Sequence, residues 1–162
     1  MADRRSEVLQ AFAESRIALL AAIEGLSDEQ LSRQEIEGVS QTDVNISWSA
    51  KDHLAHVVQM DEIRYFEICR VAHGQKPAWP YETDEESEAL NKMGVEHRRY
   101  LSLDQLLWEL DFVRARILMA IEDAPEDGLD ASRYGEFGLD GGAAHEREHA
   151  DAIVGWRKEK GL

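Results

Sequence analysis

Apolar side chains recur every third or fourth residue in four long stretches of this chain. Over residues 4–25, Leu9, Phe12, Leu19, Leu20 and Ile23 mark one face of a helix, and Gly25 suits the left-handed residue that ends it. A second helix opens at Ser49, with Asp52 three residues on in the pattern of a capping box, and runs to about His73–Gly74. Leu54, Val57, Val58, Tyr65, Ile68 and Cys69 form one of its stripes, while Met60 and Ile63 sit on another. An apolar helix of that breadth is wedged between neighbours. The third long helix is the clearest: Leu103, Leu106, Leu107, Leu110, Ile117 and Ile121 keep one face over 103–123, behind a Ser102 cap and ahead of Pro125. The last covers about 141–160, capped near Asp140.

Residues 84–99 read as a mostly polar helix anchored by Leu90 and Met93. SDEQLSRQEIEGVSQTDVNI and GQKPAWPY read as loops, the first with a short turn, and strand signals are nearly absent. The expected fold is an all-α four-helix bundle, with one extra short helix between the second and third long ones. Residues 1–162 are expected to form a single domain.

Composition narrows the setting. In 162 residues, 43% apolar and 31% charged residues are ordinary for a globular chain with its own core. No run approaches the ~18 apolar residues of a membrane span, and MADRRSEVLQ has no apolar leader core. One cysteine, Cys69, cannot form an internal disulfide and fits a reducing interior. A cytoplasmic location is therefore expected. Thirty-three acids against eighteen bases give a charge of −15 without a basic stripe, which argues against a nucleic-acid partner. A small-molecule substrate is the expected partner, with no nucleic acid and no membrane.

The chemistry concentrates in HEREH, His145–His149, which matches the H-E-x-x-H zinc pattern. At ~100° per residue His145 and His149 fall ~40° apart, beside Ala152, Ile153 and Trp156. Both imidazoles therefore face the core, and i, i+4 spacing lets them share one ion. A protease of the extended pattern is disfavoured, because Ala152 and Gly155 stand where it needs Gly and His. A third ligand upstream fits better. If the bundle runs up-down-up-down, the second and last long helices are parallel and His56 comes level with the pair. His53, one turn earlier, is the substitute ligand or a partner to one. His73 and His97 are read as solvent-exposed.

WSAKDHLAHVVQMDE (Trp48–Glu62) resembles the opening of the second helix in the DinB/YfiT-like superfamily. HEREHADAIVGWR resembles its closing H-x-x-x-H helix, and AESRIALLAAIEGLSDEQL its first. LNKMGVEHRRYLSLDQLLWEL leans toward the ClbS/DfsB-like branch. The resemblance implies a four-helix bundle with a three-histidine divalent metal site, mapping to His56, His145 and His149; imidazole ligands suit Zn, Ni, Fe and Cu about equally, so the metal, with Zn, Ni or Fe as the candidates, stays open. It also implies a metal-dependent transferase, using a low-molecular-weight thiol, or a hydrolase acting on a small molecule. A homodimer is expected on the same ground.

Glu146 lies where the general base of a zincin would sit, and is the catalytic candidate against a plain solvent-facing reading. Asp61 and Arg114 each interrupt an apolar stripe, which suggests a buried pair between them. Tyr65, Trp108 and Phe112 are candidates to line a cavity, and loops 32–48 and 126–142 to overhang the site. Cys69 is off the His56 face and reads as a small apolar residue. The sequence also fits two roles other than an enzyme. One is a non-catalytic protein that sequesters a small molecule without a metal; the other is an interaction domain that pairs through the first or third long helix.

Overall fold

A computed structural model describes residues 3–39, 47–137, 139 and 141–162. Helix α1 spans Arg4–Ile23, with the Asp3 carboxylate accepting from the Ser6 N–H at its start. Gly25 has φ 76°, the left-handed conformation that only glycine adopts without strain. The short helix α2 (Asp28–Leu31) carries a complete Ser27/Gln30 capping box. Strand β1 (Ile36–Glu37) then pairs antiparallel with β2 (Ser47–Trp48), Ile36 opposite Trp48. Helix α2 and strand β1 lie in the stretch expected as loop with a short turn, and β2 follows directly after it.

Helix α3 (Ala50–Val71) starts at the expected Ser49/Asp52 capping box. Helix α4 is Asp84–Glu96 and α5 is Leu103–Asp123, the latter behind Ser102 in a third capping box with Gln105. On α4 the buried residues are Asn91, Gly94 and Val95 rather than Met93, which is exposed. Gly94 lets this helix close onto α3, since a Cβ there would collide with Gln59. Two 3-10 turns, Glu126–Leu129 and Ala131–Phe137, replace a plain loop before α6 (Gly141–Lys160). The expected cap at Asp140 lies outside the described residues.

Side-chain contacts fix the directions of the helices. Ser15 and Arg16 meet Glu146, and Ala22 meets Arg157, so α1 and α6 run parallel. Lys51 bonds Leu101 and Asp61 bonds Arg114, so α3 and α5 also run parallel. Arg5 reaches Ala124 while Arg16 reaches Asp111, which makes α1 and α5 antiparallel. His53 meets His149 and His56 meets His145, so α3 and α6 are antiparallel as well. The order is up-down-down-up, which corrects the parallel arrangement expected for the second and last long helices. The cause is α4 and its flanking loops: they carry the chain back along the bundle, so that α5 starts at the same end as α3.

The apolar core is in two parts. Leu19, Leu54, Val58, Leu106, Leu110 and Ile153 pack at one end. Phe12, Ile68, Ile117, Ile121, Leu129 and Leu139 pack at the other. Between them lies a charged layer to which each long helix contributes: Ser15 and Arg16 from α1, Asp61 from α3, Arg114 from α5 and Glu146 from α6. Arg114 donates to Asp61 at 3.0 Å, to Glu146 at 2.8 Å and to the Phe12 carbonyl at 2.8 Å. The Asp61–Arg114 pair expected from the two interrupted stripes is present.

Candidate metal centre

Four histidines meet where α3 crosses α6. His53 and His56 follow the Ser49 cap by one and two turns and are buried on the α6 side of α3. His149 is fully buried, and His145, one turn earlier, is half-buried. The Nε2 atom of His145 lies 3.1 Å from that of His56 and 3.0 Å from that of His149. His56, His145 and His149 form the one group of ligand-capable side chains found close enough for a shared ion among the described residues.

The donor chemistry fits a cation. Burial holds all four imidazoles neutral: it lowers His53 to about 4 and His145 to about 3, and sets His56 and His149 well below the ordinary value of 6.5. Neutral imidazole is the ligating form. A ring nitrogen has one in-plane site, a proton or a lone pair, yet His145 Nε2 faces two others at once. Hydrogen bonding cannot satisfy both contacts well, whereas an ion central to the three nitrogens satisfies all of them. An ion ~2.0–2.1 Å from each nitrogen would space tetrahedral ligands about 3.3 Å apart, within a few tenths of an ångström of the spacings observed.

The surroundings are built to hold these rings. His149 Nδ1 sits 2.7 Å from His53 Nδ1, a partner of the kind that orients a ligating imidazole. Trp48, buried at the end of β2, lies against three of the rings. It stacks on His149 at 6.1 Å and 11°, and its centroid is 5.2 Å from His53 and 5.0 Å from His56. Loop 32–48 thus reaches the site through Trp48; its residues 40–46 lie outside the described part. Arg64, two turns past His56, is buried beneath the Trp79 ring at 5.9 Å.

Glu146 is neither solvent-facing nor turned to the imidazoles. It is fully buried, with Oε1 accepting from Arg16 at 2.6 Å and Oε2 accepting from Ser15 and Arg114. Burial alone would raise its pKa, but Arg114 and Arg16 outweigh that and hold it below the ordinary carboxylate value. Ser15 and Arg16 were not anticipated, although they stand where the apolar stripe of α1 should continue between Phe12 and Leu19. Trp108 and Phe112 are exposed and stack on each other at 5.3 Å, and Trp108, as expected, lines a shallow surface cavity of about 370 Å³ with Leu101, Asp104, Gln105 and Glu109. Tyr65 and Cys69 are half-buried and line a surface cavity of about 230 Å³ with His73 and Arg116. His73 and His97 are exposed, as expected. Among the described residues, no helix is long and apolar enough to cross a membrane.

Comparison with curated proteins finds no match. Among solved structures, a crystal structure of an uncharacterised protein from Escherichia coli UTI89 has the same fold. Its TM-score is 0.77 at 17% identity, and the alignment covers 100% of this chain and 97% of that one. The profile of the DinB superfamily matches residues 11–154, nearly the whole bundle and all four clustered histidines, and the chain belongs to that superfamily.

Proposed function

We propose that this protein holds one divalent metal ion through His56, His145 and His149 and uses it on a small-molecule substrate, as a transferase drawing on a low-molecular-weight thiol or as a hydrolase. The observation that carries this is the meeting of three neutral imidazoles, with His145 Nε2 about 3 Å from the Nε2 atoms of both His56 and His149, on rings fixed by His53 and Trp48. Three imidazoles leave at least one coordination position free, the mark of a catalytic rather than a structural site. An ion so held supplies an electrophile that lowers the pKa of a bound water or thiol. Zn, Ni and Fe all suit imidazole.

The protein's own residues divide the remaining work. Trp48 walls off one side of the imidazoles, and the half-buried edge of His145 is the side from which a substrate approaches. Glu146 locks α6 to α1 and α5, so we give it a structural duty in place of the general-base role its position suggested.

Metal analysis of protein purified without an affinity tag tests the reading. One equivalent of metal is expected, lost in each of His56→Ala, His145→Ala and His149→Ala. Folded protein that contains no metal and takes up none from Zn, Ni or Fe solutions would refute it, and would favour the sequestration reading.

A further inference from the structure

The surface cavity of about 230 Å³ that Tyr65 and Cys69 line is a cleft between α3 and α5. At the rise of an α-helix, Cys69 lies about 20 Å along α3 from His56. Two stripes of side chains form its walls. Tyr65 and Cys69 on α3, with His73 just past the helix end, make one; Arg116, Met119 and Asp123 on α5 make the other. Because the two helices run parallel, Arg116 shares one end with Tyr65, while Asp123 lies toward His73. The two ends are about 10 Å apart along α5. Between them the walls are mainly apolar, with Met119 and the small Ala72 and Ala120.

Arg116 stands out among the cations. Thirty-three acids face eighteen bases in this chain, and other half-buried arginines are taken: Arg70 by Glu67, Arg98 by Glu62 and Glu109. Arg116 is half-buried too, yet among the described residues it makes no hydrogen bond and no ion pair. Its contacts are aromatic. The guanidinium carbon lies over the Tyr65 ring at 4.0 Å, with the Phe66 and Phe112 centroids at 5.9 and 5.8 Å. Stacking occupies the face of a guanidinium and leaves the N–H fork, which lies in its plane, open. The rings also hold the group in place, so little freedom is lost when the fork closes on a carboxylate.

We propose that this cleft binds a small monocarboxylate with an apolar body, its carboxylate on the Arg116 fork and its body along Met119 and Cys69. The cavity has the volume of about eight waters, which suits one aromatic ring or a short chain and is too small for a nucleotide. One cation matches one negative charge, and Asp123 at the far end repels a second, so a dicarboxylate fits worse. In a chain of net charge −15, which repels anions in general, binding rests on this one preorganised cation. The site is separate from the imidazoles and needs no metal.

Cys69 makes the test local, because it is the one cysteine in the chain. Calorimetric titration with para-toluate should show one site, and the ligand should slow alkylation of Cys69 by iodoacetamide, read by intact mass, in step with its occupancy. Para-toluamide, the same shape without the charge, should do neither. Terephthalate, which adds a second carboxylate, should bind more weakly than para-toluate. Arg116→Gln should weaken binding about 10- to 100-fold, the loss of charge-assisted hydrogen bonds. Ala120→Leu, which fills the cleft from a half-buried position, should also abolish binding and covers the case in which Arg116→Gln fails to fold. A ligand of about ten non-hydrogen atoms binds in the millimolar range even at low efficiency, so no binding at about 10 mM overturns the proposal. Equal binding of the amide or of terephthalate overturns it as well. So does binding that leaves Cys69 unprotected or that disappears in His145→Ala, which would place the ligand elsewhere.

Discussion

The Nδ1 atoms of His53 on α3 and His149 on α6 lie 2.7 Å apart in the interior of the bundle. One must donate to the other, and if His149 donates, its Nε2 carries the lone pair that faces His145. His53 would then fix both the tautomer and the ring angle of a proposed ligand. Losing such a partner costs metal affinity by 10–100-fold in general. His53→Ala should therefore weaken binding by about that factor while leaving the stoichiometry at one, in a competition titration against a chromogenic chelator. An unchanged affinity would show that His149 is oriented by Trp48 and packing alone.

The charged layer makes a second prediction. Asp61 accepts from Arg114 and lies 3.6 Å from Arg16, all three buried. Burial pushes the Asp61 carboxyl up, yet Arg114 remains a cation, because Asp61 and Glu146 outweigh its own burial. Asp61→Asn leaves two buried guanidinium groups facing one carboxylate. Breaking a buried pair in this way costs about 3–5 kcal/mol, which urea denaturation would read as a fall in midpoint at constant slope. Replacing both Asp61 and Arg114 by apolar residues should cost less than the sum of the single changes. Additive losses would mean that the pair is not coupled.

That pair was legible in the sequence because each member breaks an apolar stripe, and polar groups on a buried face need partners. The three clustered ligand candidates were legible for a related reason: His145 and His149 share the apolar side of α6. The helix direction was not. Two long helices meet at the same pair of residues whether they run parallel or antiparallel, and only the path of residues 72–102 decides between them. Glu146 misled for a different reason. A helix wheel tells inside from outside when one face is buried, but α6 packs against α1 on one flank and α3 on another, so the charge between its two histidines is also interior. The arginines that neutralise it, Arg16 and Arg114, lie about 130 and 32 residues away.

Tyr134 offers a pH test away from the imidazoles. Its hydroxyl donates to the Gly128 carbonyl at 2.8 Å, bracing the turns that lead into α6, and burial raises its pKa from 10.0 to about 12. The unfolded chain then ionises first. The stability this group contributes is fully present below pH 10 and is lost as pH rises toward 12. Tyr134→Phe should cost about 1 kcal/mol at neutral pH and then decline less steeply than the wild type between pH 10 and 12. Parallel curves over that range would show the phenol to be no different from a solvated one.

Two glycines of α6 should respond to alanine with opposite signs. A Cβ on Gly142 would come within 2.5 Å of Arg64 Cδ, 2.6 Å of its Nε and 2.8 Å of Phe12 Cε1. Neither neighbour moves freely: Arg64 is buried under Trp79, and the Phe12 ring lies 4.8 Å from the Arg114 guanidinium. Overpacking of this kind costs about 1–3 kcal/mol. Because Gly142 precedes His145 by one turn, Gly142→Ala should also loosen the alignment of the imidazoles and lower metal affinity. Gly155, on the exposed side of the same helix, has nothing within 4 Å. There alanine restricts the unfolded chain and meets no obstacle, so Gly155→Ala should stabilise by roughly 0.5–1 kcal/mol and leave metal binding alone. If both variants shift the unfolding midpoint the same way, the close approach of Arg64 to α6 is not what requires a glycine at position 142.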